Sequence, residues 1–215
     1  MNQEQFTGKL KASLAKPLPG TDIQWEMASS DRMMKNFPRH KRNDSKLAAI
    51  IILLYPVNDK LHTIFIQRPV YEGVHSGQIS FPGGKMERSD RNLEKTALRE
   101  TCEEIGLCDE KLNILGVLTP LYIPVSNIEV SPFVAYHPER PSINHNSNEV
   151  VNIIEAPLKY FMNEDIVKEE YMTVRKEQIN MKYYDYQGYV IWGATAMIIH
   201  ELLVLLEREG IDLEK

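Results

Sequence analysis

The chain has 215 residues, 43% of them hydrophobic and 26% charged, which suits one folded domain with an extension and excludes a disordered tail or a fibre. Its formal net charge of -5 opposes nucleic-acid binding, which favours a basic footprint. The longest apolar run, Leu47 to Leu54, is strand-sized and far from the ~18 residues of a membrane span. The opening MNQEQFTGKLK carries no apolar stretch behind its charges, so no secretory signal is expected. Cys102 and Cys108 lie six positions apart with no His or Cys pair nearby, which points to neither a zinc site nor a disulfide framework. The expectation is a reduced, cytoplasmic protein.

Phe6, Leu10 and Leu14 recur at four-residue steps and predict a short amphipathic helix over 2–15, stopped by Pro17, Pro19 and Gly20. Arg32, Lys35, Arg39, Lys41, Arg42 and Lys46 follow among few apolar residues. They read as a solvated connector or, more sharply, as a basic approach surface for a small anion. Residues 1–45 are therefore taken as a helical and basic extension, and 46–215 as the main domain. Leu47–Pro56 predicts a strand buried on both faces. A turn at Asn58-Asp59-Lys60 and a strand over His62–Gln67 complete a hairpin. Residues 79–86 (ISFPGGKM) end a third strand at a Gly-Gly corner. Asn92–Gly106 predicts a helix with Leu93, Ala97, Thr101 and Ile105 as its stripe and Gly106 as C-cap. Further strands are expected over Asn113–Leu118, Glu129–Tyr136, Glu149–Pro157 and Met181–Trp192, and a closing helix over Gly193–Glu209. Strands and helices mix without strict βαβ alternation, so the fold class is α/β (α+β), a mixed sheet with helices on its faces.

The chemistry concentrates at Gly83-Gly84 and at Arg99-Glu100-Thr101-Cys102-Glu103-Glu104. On a helix, Glu100, Glu103 and Glu104 share one face with Cβ atoms ~5–6 Å apart. Two such carboxylates repel by roughly 0.7 kcal/mol if fully solvated, and by nearly 3 kcal/mol at an effective dielectric constant of ~20. Arg99, four residues before Glu103, is the one cation placed to relieve them, and a divalent cation would turn repulsion into attraction. Hard oxygen ligands suit Mg2+ or Mn2+. An exposed acidic face kept for solubility is the plainer alternative for the three glutamates alone. The glycine pair weighs against it, because it allows carbonyls to approach a metal and amides to approach a phosphate. The spacing of a P-loop is absent.

Gly84 through Leu107 resembles the Nudix box, G-x5-E-x7-R-E-U-x-E-E-x-G-U with U a bulky aliphatic, and Gly84, Arg99, Glu100, Glu103, Glu104, Gly106 and Leu107 match it. Asp90 fills the first acidic position one residue further from Arg99, and Thr101 replaces an aliphatic. The expansion resembles the coenzyme A diphosphatase branch. Arg68 with Gly77-Gln78-Ile79-Ser80-Phe81-Pro82-Gly83-Gly84 is similar to that branch's upstream signature, although its second arginine is Gly73 here and Pro69 stands where a small residue is usual. Leu18-Pro19-Gly20, Val125-Ser126, Val130-Ser131-Pro132, Ala156-Pro157-Leu158 and Ile191-Trp192-Gly193 resemble its other landmarks.

The resemblance implies an α/β/α sandwich in which a mixed sheet carries the loop-helix motif and a C-terminal helix. It implies hydrolysis of a phosphoanhydride in coenzyme A or acyl-coenzyme A, giving adenosine 3′,5′-bisphosphate and (acyl-)4′-phosphopantetheine. Glu100, Glu103 and Glu104, with the Gly84 carbonyl, become the metal ligands. Arg99 holds the glutamates, and Asp90 fixes the loop, with an N-cap role for the helix as one means. Glu149 is the first candidate for general base and Glu129 a weaker one, each with an ordinary surface charge as its alternative. Arg68, Gly83 and His75 are candidates for substrate binding. Tyr183, Tyr184, Tyr186 and Tyr189 offer stacking faces but match half-buried strand positions equally well, and Trp192 reads as core. ADP-ribose or another nucleoside diphosphate derivative is the competing substrate class, and a ligand-binding module without turnover the competing type of protein. The expected partner is a small molecule, with no nucleic acid and no membrane, and a second copy of the chain is the one protein partner considered.

Overall fold

The computed structural model describes residues 2–30, 37–72, 75–146, 148–174 and 177–213. Arg32, Lys35 and Gly73, which figure in the expectations above, lie outside the described residues. The first helix is α1 (Gln3–Leu14), opened by an Asn2 capping box, and a short α2 (Thr21–Trp25) starts directly after Gly20. β1 (Lys46–Val57) and β2 (Lys60–Gln67) form the expected hairpin. Asn58 and Asp59 both take left-handed backbone angles there, as a two-residue turn with the twist of its strands requires. Two short pieces, β3 (Ile79–Ser80) and β4 (Gly83–Lys85), lead into α3 (Leu93–Ile105). β5 (Asn113–Val117), β6 (Leu121–Ile123), β7 (Ile128–Tyr136) and β8 (Asn152–Pro157) follow. The chain then enters β9 (Val167–Val174), β10 (Glu177–Tyr186) and β11 (Tyr189–Trp192), and ends in α4 (Gly193–Arg208).

β1 to β8 form one mixed sheet. β1 runs parallel to β7, from Lys46 opposite Ile128 to Leu54 opposite Tyr136, while the remaining pairings are antiparallel. β9 to β11 form a separate antiparallel sheet.

Alternation along β1 explains the layering. Ala48, Ile52 and Leu54 join Phe6, Leu10 and Leu14 of α1 and Ile199, Leu202 and Leu206 of α4 in one apolar cluster. Ala49, Ile51, Leu53 and Tyr55 face the other way, onto Ala97 and Ile105 of α3. The result is the expected α/β/α sandwich, and the strand is apolar throughout because it has no solvent face. Each of these fully buried aliphatic side chains contributes roughly 1.5–3 kcal/mol relative to exposure. The N-terminal segment packs on the core: besides α1, Trp25 and Met27 are buried in the same cluster. Glu201 of α4, fully buried, fastens it further, accepting hydrogen bonds from the Gly20 N–H (3.0 Å), Gln24 Nε2 (2.8 Å) and Thr119 Oγ1 (2.5 Å).

Two expectations are corrected, those for the cysteines and for Glu149. The two cysteines are joined, so neither thiol is free. Gly106 ends α3 in a left-handed conformation that turns the chain back, bringing the Cα atoms of Cys102 and Cys108 to 4.7 Å. In the connector, Arg39 pairs with Asp22, Lys41 with Glu129 and Arg42 with Asp44, with the three cations about half-exposed or more. Glu149 lies in a turn before β8 instead of opening the strand, its N–H bonded to the Asn146 carbonyl.

Candidate active site

α3 carries the acidic face. Asn92 caps its start by accepting from the Lys95 N–H at 2.9 Å, so Asp90 does not have the N-cap role considered for it. Asp90 accepts instead from the Glu87 N–H, Thr96 Oγ1, Arg99 Nε (3.0 Å) and Arg99 Nη2 (2.9 Å). This fork holds the Asp90 carboxyl well below the usual carboxylate range and raises the guanidinium further above its own. The extra residue between Asp90 and Arg99 is thus accommodated in the loop without loss of the pairing. Thr101, where an aliphatic was expected, is fully buried and donates its hydroxyl to the Ala97 carbonyl at 2.7 Å, which removes the penalty of placing it in the core.

Arg99 also reaches Glu100 (3.0 Å) and Glu103 (2.9 Å) through Nη1, as the sequence suggested. Glu104 is almost fully buried and accepts from the Gly83 N–H at 2.8 Å. Burial pushes its carboxyl up to about 7, against the Gly83 hydrogen bond and the charge of Arg68, with Glu100 and Glu149 adding repulsion. Glu100 is raised too, first by burial, with Arg99 opposing and Glu103 and Glu149 reinforcing the shift. The negative charge of Glu149 thus acts on both Glu104 and the half-buried Glu100. Glu129, the weaker candidate, is tied to Lys41.

Gly83 is required by its backbone contacts, and Gly84 by the present position of the Glu100 carboxylate. Gly83 has φ +145°, and a Cβ there would strike the backbone of Ala49 and Ile50; a Cβ on Gly84 would occupy the space of the Glu100 carboxylate. Behind this ribbon, on the Ala48 and Ile50 face of β1, lies a cavity of about 550 Å3. Arg68, His75, Gly83 and Gly84 line it, together with Gln78, Lys85 and Thr195, which sequence reasoning did not single out. His75 Nδ1 is 3.0 Å from Gln78 Oε1. Trp192, expected in the core, is half-buried and lines the cavity, whereas none of the four candidate tyrosines does.

The donor set is one of hard anionic oxygens exceeding the cations beside it, which fits Mg2+ or Mn2+. Among the described residues no three acidic, His or Cys side chains are already gathered as a metal site, and Glu100 and Glu103 both meet Arg99 Nη1. No helix among the described residues is long and apolar enough to cross a membrane.

Residues 45–179 match the NUDIX domain model. The chain is 33% identical over 167 residues to the uncharacterized Nudix hydrolase NudL of Photorhabdus laumondii, covering 77% of this chain and 88% of that one. It is 32% identical over 178 residues to Nudix hydrolase 15, mitochondrial, of Arabidopsis thaliana, covering 79% and 62%. A MutT/nudix family protein from Enterococcus faecalis shares the fold at TM-score 0.53 and 16% identity, over 87% of this chain and 73% of that one. The chain belongs to the Nudix hydrolase family. Membership brings the family's general activity, divalent-metal-dependent hydrolysis of a nucleoside diphosphate linked to another group.

Proposed function

We propose that the protein hydrolyses the phosphoanhydride of coenzyme A or acyl-coenzyme A, releasing adenosine 3′,5′-bisphosphate and (acyl-)4′-phosphopantetheine. The observation that carries the reading is the Gly83-Gly84 corner, where buried Glu104 and half-buried Glu100 both meet the glycine ribbon beside a cavity lined by Arg68. The loop expansion that resembles the coenzyme A branch is compatible with the Asp90–Arg99 fork, which spans it.

Glu100, Glu103, Glu104 and the Gly84 carbonyl would hold Mg2+ or Mn2+. The chemistry supplied there would be neutralisation of phosphate charge and a lowered pKa for bound water. Arg99 keeps Glu100 and Glu103 in register through one guanidinium nitrogen while its other face is anchored on Asp90. Glu149 accepts the proton of the attacking water at its carboxylate. Arg68 opposes phosphate charge from within the cavity, and His75, oriented by Gln78, donates to a phosphate oxygen. Gly83, packed against β1, sets its backbone at the edge of the cavity, where the substrate would pass. Residues 46–215 form the hydrolase domain in this reading and 1–45 its extension.

Gly73, in place of the branch's second arginine, favours ADP-ribose or another nucleoside diphosphate derivative as the second reading. Incubation with Mg2+ or Mn2+ and coenzyme A, ADP-ribose, NADH or diadenosine polyphosphates, with products identified by mass, tests both. Phosphopantetheine release is expected; turnover of the other compounds without it would refute the coenzyme A assignment.

A further inference from the structure

The cavity has two chemically different halves. On one side lies the β2–β3 connection, which supplies Arg68, His75 and Gln78. On the other, the sheet itself is the floor. β4, β1, β7 and β6 lie in that order, with Gly83 opposite Ile50, Ala48 opposite Val130 and Ile128 opposite Ile123. Three strand spacings carry this floor ~14 Å from the glycine corner. Ile50, Ile128 and Val130 line it with aliphatic groups, and Lys85, exposed at its β4 edge opposite Ala48, is the one charged lining side chain from these four strands among the described residues. The adjoining backbone is engaged in the pairing of β1 with β7 along this stretch, so the floor offers few hydrogen-bonding groups of its own.

The position of Ile50 matters most. Its Cγ2 would stand 2.8 Å from a Cβ built on Gly83, whose N–H holds Glu104. An aliphatic wall therefore begins at the corner where the diphosphate must sit, and the limb next to the phosphate meets it first. In coenzyme A that limb is pantoyl, with a quaternary carbon bearing a pair of methyl groups. In ADP-ribose it is a second ribose, whose hydroxyls would be buried against this floor without partners.

We propose that Ile50, Ile128 and Val130 are specificity determinants that select diphosphates with a branched aliphatic limb beside the phosphate over those with a sugar there. The inference rests on the hydrolase reading above and adds to it the side of the cavity that each half of the substrate occupies. The nucleotide faces Arg68 and His75, and the aliphatic limb lies over β1 and β7.

The test compares kcat/KM for coenzyme A and ADP-ribose in the full chain with Mg2+, for the wild type and Val130→Thr, which is nearly isosteric but places a hydroxyl on the floor. An unpartnered hydroxyl in an apolar site costs on the order of a hundredfold, so the wild type is expected to prefer coenzyme A by about that factor or more. Val130→Thr should reduce the preference by about tenfold, and Ile128→Thr serves if the first variant is not folded. Binding of 4′-phosphopantetheine and of ribose 5-phosphate, measured by calorimetry, should show the same order without turnover. Equal or better cleavage of ADP-ribose, or a preference untouched by either variant, overturns the inference while leaving the hydrolase standing. Failure to cleave any diphosphate removes the hydrolase reading and the inference with it.

Discussion

Glu104 offers the sharpest test of the electrostatics at the glycine corner. Its carboxyl titrates at about 7 in the fold against 4.5 for an ordinary glutamate, with burial as the main cause. The unfolded chain thus loses this proton near pH 4.5 and the folded one near pH 7, so stability falls as pH rises through that window. Once both forms are ionised the folded state has lost on the order of 3 kcal/mol. Glu104→Gln removes the charge and keeps an acceptor for the Gly83 N–H, while its added amide, if unpartnered, returns ~1 kcal/mol. At pH 8 in chelator the variant should be more stable by about 2 kcal/mol, or ~4–8 °C in Tm for a chain of this size. At pH 4 the advantage should vanish. Mn2+ should raise the wild-type Tm and raise that of the variant less. Urea or thermal unfolding across pH 4–8 provides the measurement. Parallel stability curves for the two proteins would refute the reasoning.

Glu103→Gln should lower kcat by orders of magnitude while leaving the metal-free Tm unchanged or higher, checked by product release and calorimetry. Reduction of the Cys102–Cys108 bridge, followed by thermal unfolding, should cost ~2 kcal/mol, as expected for the short loop it closes. Cytosolic thiol pools keep such pairs open, so the oxidation state of protein isolated under thiol-trapping conditions reports on the compartment. Leu10→Ala, at a fully buried position of α1, should destabilise the whole chain by ~2–5 kcal/mol in a single urea transition, and a separate early transition would show that the N-terminal segment folds independently.

The features legible in the sequence were those written locally. α3 carries its own start and stop signals in Asn92 and Gly106, and its three glutamates follow directly from helical spacing. β1 reveals burial on both faces through its unbroken apolar run. β9 escaped because Lys168, Glu169 and Glu170 give it a charged, exposed surface, and its strand character comes from pairing with β10. α2 and β6, of five and three residues, are too short to show a period. The cavity floor could not be read at all: Ala48 and Val130 lie side by side only because β1 pairs in parallel with a strand some eighty residues later. The disulfide was missed for a related reason, since cysteine spacing was weighed without the reversal imposed by a left-handed helix end.

Glu201 has a consequence for the order in which the molecule is assembled. Its three hydrogen-bond donors come from Gly20, Gln24 and Thr119, and the acceptor lies near the end of the chain. The 20–24 segment can therefore be latched only after residue 201 has been made, whereas α1 meets Tyr136 and Gly116, on strands that precede α4 by some sixty residues or more. One segment thus has two anchors that become available at different times.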